Sequence, residues 1–138
     1  MKKHIHLLLV VLIAFASCKK DKNDEITKEN LAGSYKLTAS TSQAGNGPII
    51  NEYALLPVCE KDDLFKLNGD LSYNYVDAGT KCNPAGDDNG SWSLPSTTQI
   101  ILDGQSLSIN SFDGKTLVLS VSIAFNGTTN VSTITLMK

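Results

Sequence analysis

Apolar and polar residues alternate along most of the chain, and this period of two is typical of β-strands with one buried face. The clearest run places Leu117, Leu119, Val121, Ile123 and Phe125 on one face. Similar runs are Tyr35-Leu37-Ala39, Phe65-Leu67, Leu71-Tyr73-Tyr75, Trp92-Leu94, Ile100-Leu102, Leu107-Ile109 and a Thr-rich segment from Asn130 to Met137. Helical periodicity is limited to a single turn near 29–33. The pattern predicts an all-β fold.

Turn-forming dipeptides separate these runs: Asn68-Gly69, Asp103-Gly104, Asp113-Gly114 and Asn126-Gly127. Such residues tolerate the positive φ angles of a tight type I′ turn, so consecutive strands should be antiparallel neighbours. We expect an up-and-down meander that closes into a barrel of eight or nine strands, with a β-sandwich as the alternative. Two longer connections, 40–48 and 83–90, are expected at the open end of the barrel because binding residues concentrate on such loops.

The N-terminus has the pattern of a secretory signal, with Lys2 and Lys3 followed by an apolar stretch over 7–15. It ends in Phe15-Ala16-Ser17-Cys18, which resembles the lipobox of bacterial lipoproteins. That resemblance implies that residues 1–17 are a lipoprotein signal peptide and that Cys18 is acylated. The alternative is an ordinary signal peptide cut near Ala16. The apolar stretch falls short of the ~20 residues that cross a bilayer.

Residues 18–30 are charged and nearly free of apolar side chains, so we interpret them as the lipidated cysteine and a flexible tether. Lys19 directly after the cysteine resembles the outer-membrane sorting pattern of Gram-negative bacteria. The expected location is therefore the outer membrane, with the chain anchored by acylated Cys18 and facing either the periplasm or the cell surface. Residues 31–138 form the expected folded domain.

The two remaining cysteines, Cys59 and Cys82, would then lie in an oxidising compartment, which favours a disulfide between them. A zinc site needs about four ligands, and both histidines, His4 and His6, are lost with the signal peptide. The spacing also excludes a redox pair of the Cys-x-x-Cys kind. No metal or other cofactor is predicted.

The charge composition argues against nucleic acid as a partner. The chain has twelve lysines and no arginine, and after signal removal fourteen acidic residues face ten lysines. A surface without arginine has no bidentate fork for phosphate or bases. Catalysis is also not expected, because the domain has no histidine base and no Gly-x-Ser-x-Gly motif.

Two motifs carry a family resemblance. Gly33-Ser34-Tyr35-Lys36-Leu37 resembles the Gly-x-Trp-x-Leu opening of lipocalin-like domains, with tyrosine in place of tryptophan. The segment from Cys59-Glu60-Lys61-Asp62-Asp63 through Cys82 to Gly90-Ser91-Trp92-Ser93-Leu94 resembles small lipocalin-like lipoproteins of Gram-negative bacteria. The resemblance implies a β-barrel with a cup-shaped interior and no catalytic residues.

Six inward-alternating side chains are the candidates for binding a small apolar or amphipathic ligand: Tyr35, Leu37, Phe65, Tyr73, Tyr75 and Trp92. In a barrel this small the same rings can instead fill the interior as core. The pairs Asp62-Asp63 and Asp87-Asp88 are interpreted as turn and solubilising residues, with calcium binding as the alternative. The predicted function is a membrane-anchored ligand-binding module, and the alternative is an envelope module that contacts another protein.

Overall fold

A computed structural model describes residues 24–138, and the predicted signal peptide and Cys18 lie outside that range. Three single-turn helices occur in it: α1 (Lys28–Leu31), α2 (Glu52–Leu55) and α3 (Val58–Lys61). The strands are β1 (Gly33–Ala44), β2 (Ile49–Asn51), β3 (Leu64–Leu67), β4 (Ser72–Val76), β5 (Asp88–Ser96), β6 (Gln99–Leu102), β7 (Gln105–Phe112), β8 (Thr116–Phe125) and β9 (Thr128–Met137). No helix in residues 24–138 is long and apolar enough to cross a bilayer.

The strands form one antiparallel meander that closes on itself. From β3 to β9 each strand pairs with the next, β3 also pairs with β1, and the β1–β9 pairing completes an eight-stranded barrel. Strand β2 is extra and pairs with β1 over 41–43. The predicted lipocalin-like barrel is thereby confirmed, and the β-sandwich is excluded.

One end of the barrel is closed by the N-terminal segment. Thr27 caps α1 by accepting a hydrogen bond from the Asn30 N–H at 3.2 Å, and Leu31 is fully buried. The Tyr35 hydroxyl donates to the Leu31 carbonyl at 2.6 Å. Ile26 also packs against the core, so the packed part of the chain extends upstream of Leu31. We call this the closed end and the opposite end the mouth.

The core lies nearest the closed end and is built by alternating inward side chains, as predicted. Each of the eight barrel strands supplies one or two residues, because alternate positions of a strand face the same side. The fully or nearly fully buried apolar residues are Leu31, Tyr35, Leu67, Tyr73, Trp92, Ile100, Ile109, Leu117, Leu119 and Leu136.

A β-bulge at Thr38 changes which face of β1 points inward. Leu37 lies opposite Leu136, but the register then shifts so that Ala39 lies opposite Thr135 and Ser40 opposite Ile134. Because cross-strand partners share a face, Ala39 points outward and Ser40 inward. The predicted inward series Tyr35-Leu37-Ala39 is therefore wrong at its last member, since a bulge inserts one extra residue.

The type I′ turn prediction is correct at two of the four dipeptides. Both residues of each of these two dipeptides have positive φ angles. The values are 46° at Asp103 and 80° at Gly104, and 49° at Asn126 and 76° at Gly127. In the turn over 68–71 the positive φ belongs to Leu71 instead. Its N–H donates to the Asn68 carbonyl at 3.1 Å. At the β7–β8 turn, Gly114 has a positive φ of 86° in a three-residue loop over 113–115.

Both connections that were expected to be long lie at the mouth, but their bounds differ from the prediction. Strand β1 continues to Ala44, so the first connection is the short turn 45–48, whereas the second spans 77–87. Residues 40–44 extend as strand because they pair with β9 as far as Ala44↔Asn130.

The barrel wall is taller on one side of the mouth. Strand β7 pairs with β8 only up to Ser120, and β3 pairs with β1 only up to Lys36. Four strand segments therefore extend further toward the mouth than β3 and β7 do. We call residues 41–44, 49–51, 121–125 and 128–132 the strand extension. Three apolar side chains on its inner face are exposed: Ile50 at 49%, Ile123 at 56% and Phe125 at 66%.

Candidate functional site

A partly open cavity of about 240 Å³ lies inside the barrel on the mouth side of the core. Its apolar wall comes from inward positions of four strands, β1, β3, β6 and β9, together with Leu56, which follows α2. The lining residues are Leu37, Leu56, Phe65, Leu102, Ile134 and Leu136, with Glu60, Asp63 and Tyr75 as the polar members. The cavity is therefore mostly apolar with a polar side next to the β3–β4 hairpin.

Of the six predicted ligand-binding residues, the structure brings Leu37, Phe65 and Tyr75 together around this cavity. The other three lie in the core: Tyr35 is 0% exposed, Tyr73 8% and Trp92 2%. Trp92 points away from the cavity, since its indole N–H donates to the Asn68 carbonyl at 2.9 Å in the closed-end turn. Its fluorescence is thus a poor reporter of cavity occupancy.

Leu102 belongs to the predicted alternating run Ile100-Leu102, whereas Ile134 and Leu136 belong to a segment that was predicted only to be a strand. Leu56 and Glu60 were not predicted as site residues, because the apolar positions in the segment 52–61 have neither strand nor helix periodicity. One local signal was present there: Asn51 caps α2, its side chain accepting from the Ala54 N–H at 3.1 Å. Asn before Glu is a favoured start for a helical turn.

The polar side of the cavity is organised by Asp63, which is 4% exposed. It accepts a hydrogen bond from the Tyr75 hydroxyl at 2.7 Å and another from the Ala78 N–H at 2.9 Å. Burial, and then the bond to Asp63, raises the pKa of Tyr75 well above its usual range. Tyr75 therefore stays protonated at neutral pH and acts as a hydrogen-bond donor.

Carboxylates also shape the connection 77–87 beside the cavity. Asp62 accepts from the Thr80 N–H at 2.9 Å, and Asp87 accepts from the Asp77 N–H at 2.8 Å. Asp77 is fully buried and accepts from the Cys82 N–H at 3.2 Å. Asp62, Asp63 and Asp87 thus have the turn-stabilising role that was expected first. Within residues 24–138 no group of three His, Cys, Asp or Glu side chains is arranged to hold a metal ion.

The predicted disulfide is present between Cys59 and Cys82, with their Cα atoms 5.3 Å apart. Cys59 lies in α3, before β3, and Cys82 lies in the connection after β4. Because β3 and β4 are hairpin partners, the bond joins the segments that enter and leave this hairpin. It also fixes α3, which carries Glu60, next to the cavity.

A second recess lies at the closed end, with a volume of about 580 Å³. It is a wide, open depression between the N-terminal segment and the β5–β6 turn. Its lining includes Glu25, Thr27, Thr97 and Thr98. Ligand pockets are concave and mostly apolar with a few placed polar groups, and this description fits the cavity inside the barrel instead.

Comparison with known proteins gives one match. The sequence profile of the lipocalin-like domain family matches residues 31–129, which is most of the chain and the whole meander up to the start of β9. No curated protein and no solved structure gives a significant match. Lipocalin-like domains are generally non-enzymatic binding proteins.

Proposed function

Because the chain belongs to the lipocalin-like domain family, we propose that it is a non-catalytic module that holds a small apolar or amphipathic molecule inside its barrel. The observation that carries this proposal is the partly open barrel cavity with its apolar wall. A packed barrel interior of this size would leave no such space, since protein interiors have few voids larger than a water molecule.

The cavity volume limits the ligand to a small molecule. An apolar cavity of about 150 Å³ accommodates benzene, and drug-sized ligands occupy roughly 300–1,000 Å³. At about 240 Å³, the cavity fits a single aromatic ring with a short side chain or a branched aliphatic molecule of similar size.

A cavity-filling variant tests the proposal. Leu102→Phe adds bulk to the cavity wall and should abolish binding of a neutral probe, 2-phenylethanol, measured by calorimetry and by methyl NMR shifts of Leu37 and Ile134. The matched control is Val118→Phe, which adds the same ring on the outward face of β8 between the buried Leu117 and Leu119. Equal binding by wild type and Leu102→Phe would overturn the proposed site.

Native mass spectrometry of the protein purified from its own membrane is the complementary test. A ligand that occupies the cavity in the cell should co-purify as a defined mass, and Leu102→Phe should lose it. A mass adduct that persists in Leu102→Phe would place the molecule elsewhere on the protein.

The proposed location is the outer membrane of a Gram-negative cell, with attachment through acylated Cys18. The described chain enters the barrel at the closed end, and residues 18–23 span at most about 20 Å when fully extended. A ten-residue strand such as β8 spans about 33 Å, so this attachment would hold the mouth away from the bilayer. Cys18→Ser should leave the protein unacylated in the soluble fraction, and a detergent-partitioning, acylated variant would contradict the anchor.

A protein-interaction role is the alternative, and the inner face of the strand extension favours it. Ile50, Ile123 and Phe125 are exposed there, and exposed apolar patches often mark interaction sites. A photocrosslinking residue at Phe125 should give a defined protein adduct in native membranes, whereas the same residue at outward-facing Thr129 should not. Equal crosslinking at both positions would remove this alternative.

A further inference from the structure

The ionisable residues that line the cavity are all acidic or phenolic. Glu60 and Asp63 are the carboxylates and Tyr75 is the phenol, and none of the lysines in residues 24–138 lines the cavity. A cavity for fatty acids would need a cation or several donors opposite the ligand carboxylate. The charge of this lining has the opposite sign.

The two carboxylates differ in the number of hydrogen bonds that they accept from the protein. Asp63 already accepts the Tyr75 hydroxyl and the Ala78 N–H, one at each oxygen. Glu60 is half-buried, and in the described part of the chain no hydrogen bond ends on its carboxylate. Glu60 is therefore the group whose charge is left for a ligand.

Lys61 directly follows Glu60, and Lys81 directly precedes Cys82, the disulfide partner of Cys59; both lysines have other contacts. Lys61 directs its ammonium to the Ala54 carbonyl at 3.5 Å and lies 5.3 Å from the centre of the Tyr53 ring. Lys81 donates to the Asp77 carbonyl. Neither forms an ion pair with Glu60, so among residues 24–138 this carboxylate lines the cavity without a cationic partner.

We infer that the ligand is a small primary amine with an apolar body, whose ammonium lies against Glu60 while its ring or chain fills the apolar part of the cavity. The inference rests on the proposed ligand-binding function and names its ligand class. An ammonium gains a charge-assisted hydrogen bond at Glu60. A carboxylate ligand of the same shape would instead face both Glu60 and Asp63 and be repelled.

Three probes with nearly the same body separate this inference from the general proposal: 2-phenylethylamine, 2-phenylethanol and phenylacetate. Calorimetry on the full protein should show the amine binding about tenfold or more tightly than the alcohol, which is the effect of one net charged hydrogen bond. Phenylacetate should bind more weakly than the alcohol.

Glu60→Gln should remove the preference for the amine, so that 2-phenylethylamine and 2-phenylethanol bind this variant with similar affinity. Glu29→Gln in α1 is the matched control, because it makes the same chemical change at the closed end. Glu60→Lys should reverse the order, so that phenylacetate binds more tightly than the amine. The comparison of the three probes on the wild-type protein stands even if a variant fails to fold.

The outcomes distinguish a failure of the amine inference from a failure of the proposed ligand-binding function. Equal affinity for amine and alcohol, or phenylacetate as the tightest probe, overturns the amine inference and leaves the cavity as a binding site for neutral or anionic molecules. An amine preference that survives Glu60→Gln also overturns it. Binding of none of the three probes overturns the proposed cavity function together with the inference.

Discussion

The Tyr73 hydroxyl donates a hydrogen bond of 2.8 Å to Asp103 Oδ2, reaching across β5, which lies between β4 and β6. Asp103 Oδ1 also accepts from the Ser91 N–H at 2.9 Å. One carboxylate thus ties three consecutive strands together. These bonds, the Ser91 N–H first and the Tyr73 hydroxyl next, lower the pKa of Asp103, and the bond to Asp103, followed by burial, raises the pKa of Tyr73 to about 12.

This pair predicts a loss of stability at both ends of the pH range. The pKa of Asp103 is lower in the folded state, so its contribution is present above the unfolded value of about 3.9 and is lost as the pH falls through the folded pKa. The pKa of Tyr73 is higher in the folded state, so its contribution is present below about pH 10 and is lost as the pH rises towards about 12.

Denaturant midpoints measured from pH 2 to pH 11 check this prediction. Asp103→Asn should reduce the acid loss, and Tyr73→Phe should reduce part of the alkaline loss, since Tyr35 and Tyr75 also have raised pKa values. An acid limb identical in wild type and Asp103→Asn would contradict the assignment.

Gly90 makes room for the same carboxylate. A Cβ on Gly90 would overlap the Asp103 side chain, whose position is fixed by its two hydrogen bonds. Gly90→Ala should therefore cost about 1–3 kcal/mol of unfolding free energy, as overpacking does. Gly69→Ala is the control, because nothing lies within 4 Å of its Cβ position, and it should change stability by no more than about 0.5 kcal/mol.

A double-mutant cycle shows whether the overlap is the cause. In an Asp103→Ala background, Gly90→Ala should cost much less, because the carboxylate that it meets is gone. The same cost in both backgrounds would mean that Gly90 is required for another reason.

The sequence pattern predicted the inward face of most strands, but it did not predict position along the barrel axis. Alternation distinguishes inside from outside at each residue. It does not separate Tyr35 from Leu37, or Tyr73 from Tyr75, although one of each pair is core and the other lines the cavity. That distinction depends on strand stagger, which arises from pairings between distant segments and from the bulge at Thr38.

The segment 52–61 was beyond prediction for a related reason. Its two helices are four residues long, and isolated helices this short are unstable in water. The disulfide at Cys59 and the Ser42 hydroxyl, which donates to Glu52 at 2.5 Å, attach the segment to the barrel. Such tertiary contacts leave no periodic signal, so the position of Glu60 beside the cavity follows only from the structure.

The hydrogen bond that closes the barrel predicts the effect of Tyr35→Phe. The Tyr35 hydroxyl is the donor to the Leu31 carbonyl, and both residues are fully buried. Losing the donor leaves a buried carbonyl unsatisfied, which costs about 1–3 kcal/mol. Urea unfolding should show this loss, while Tyr53→Phe, at a half-buried tyrosine, should stay within about 0.5 kcal/mol of wild type.

The disulfide predicts the largest single change in stability. Cys59 and Cys82 are 23 residues apart in sequence, and in the chain-entropy model a bond closing such a loop stabilises a domain by roughly 3 kcal/mol. Removing it should lower the Tm by about 10 °C or more. Both cysteines are half-buried, so a mild reductant should be able to reach the bond in the folded protein.

Calorimetric scans of the oxidised protein, the reduced protein and the double variant Cys59→Ser, Cys82→Ser measure this loss. The two forms without the bond should melt at similar temperatures, because the cross-link rather than the sulfur atoms is the source of stability. Their ligand affinity should fall as well, since the bond holds α3, and with it Glu60, against the cavity. Quantitative titration of free thiols in the freshly isolated folded protein, or an unchanged Tm after complete reduction, would refute this account of the bond.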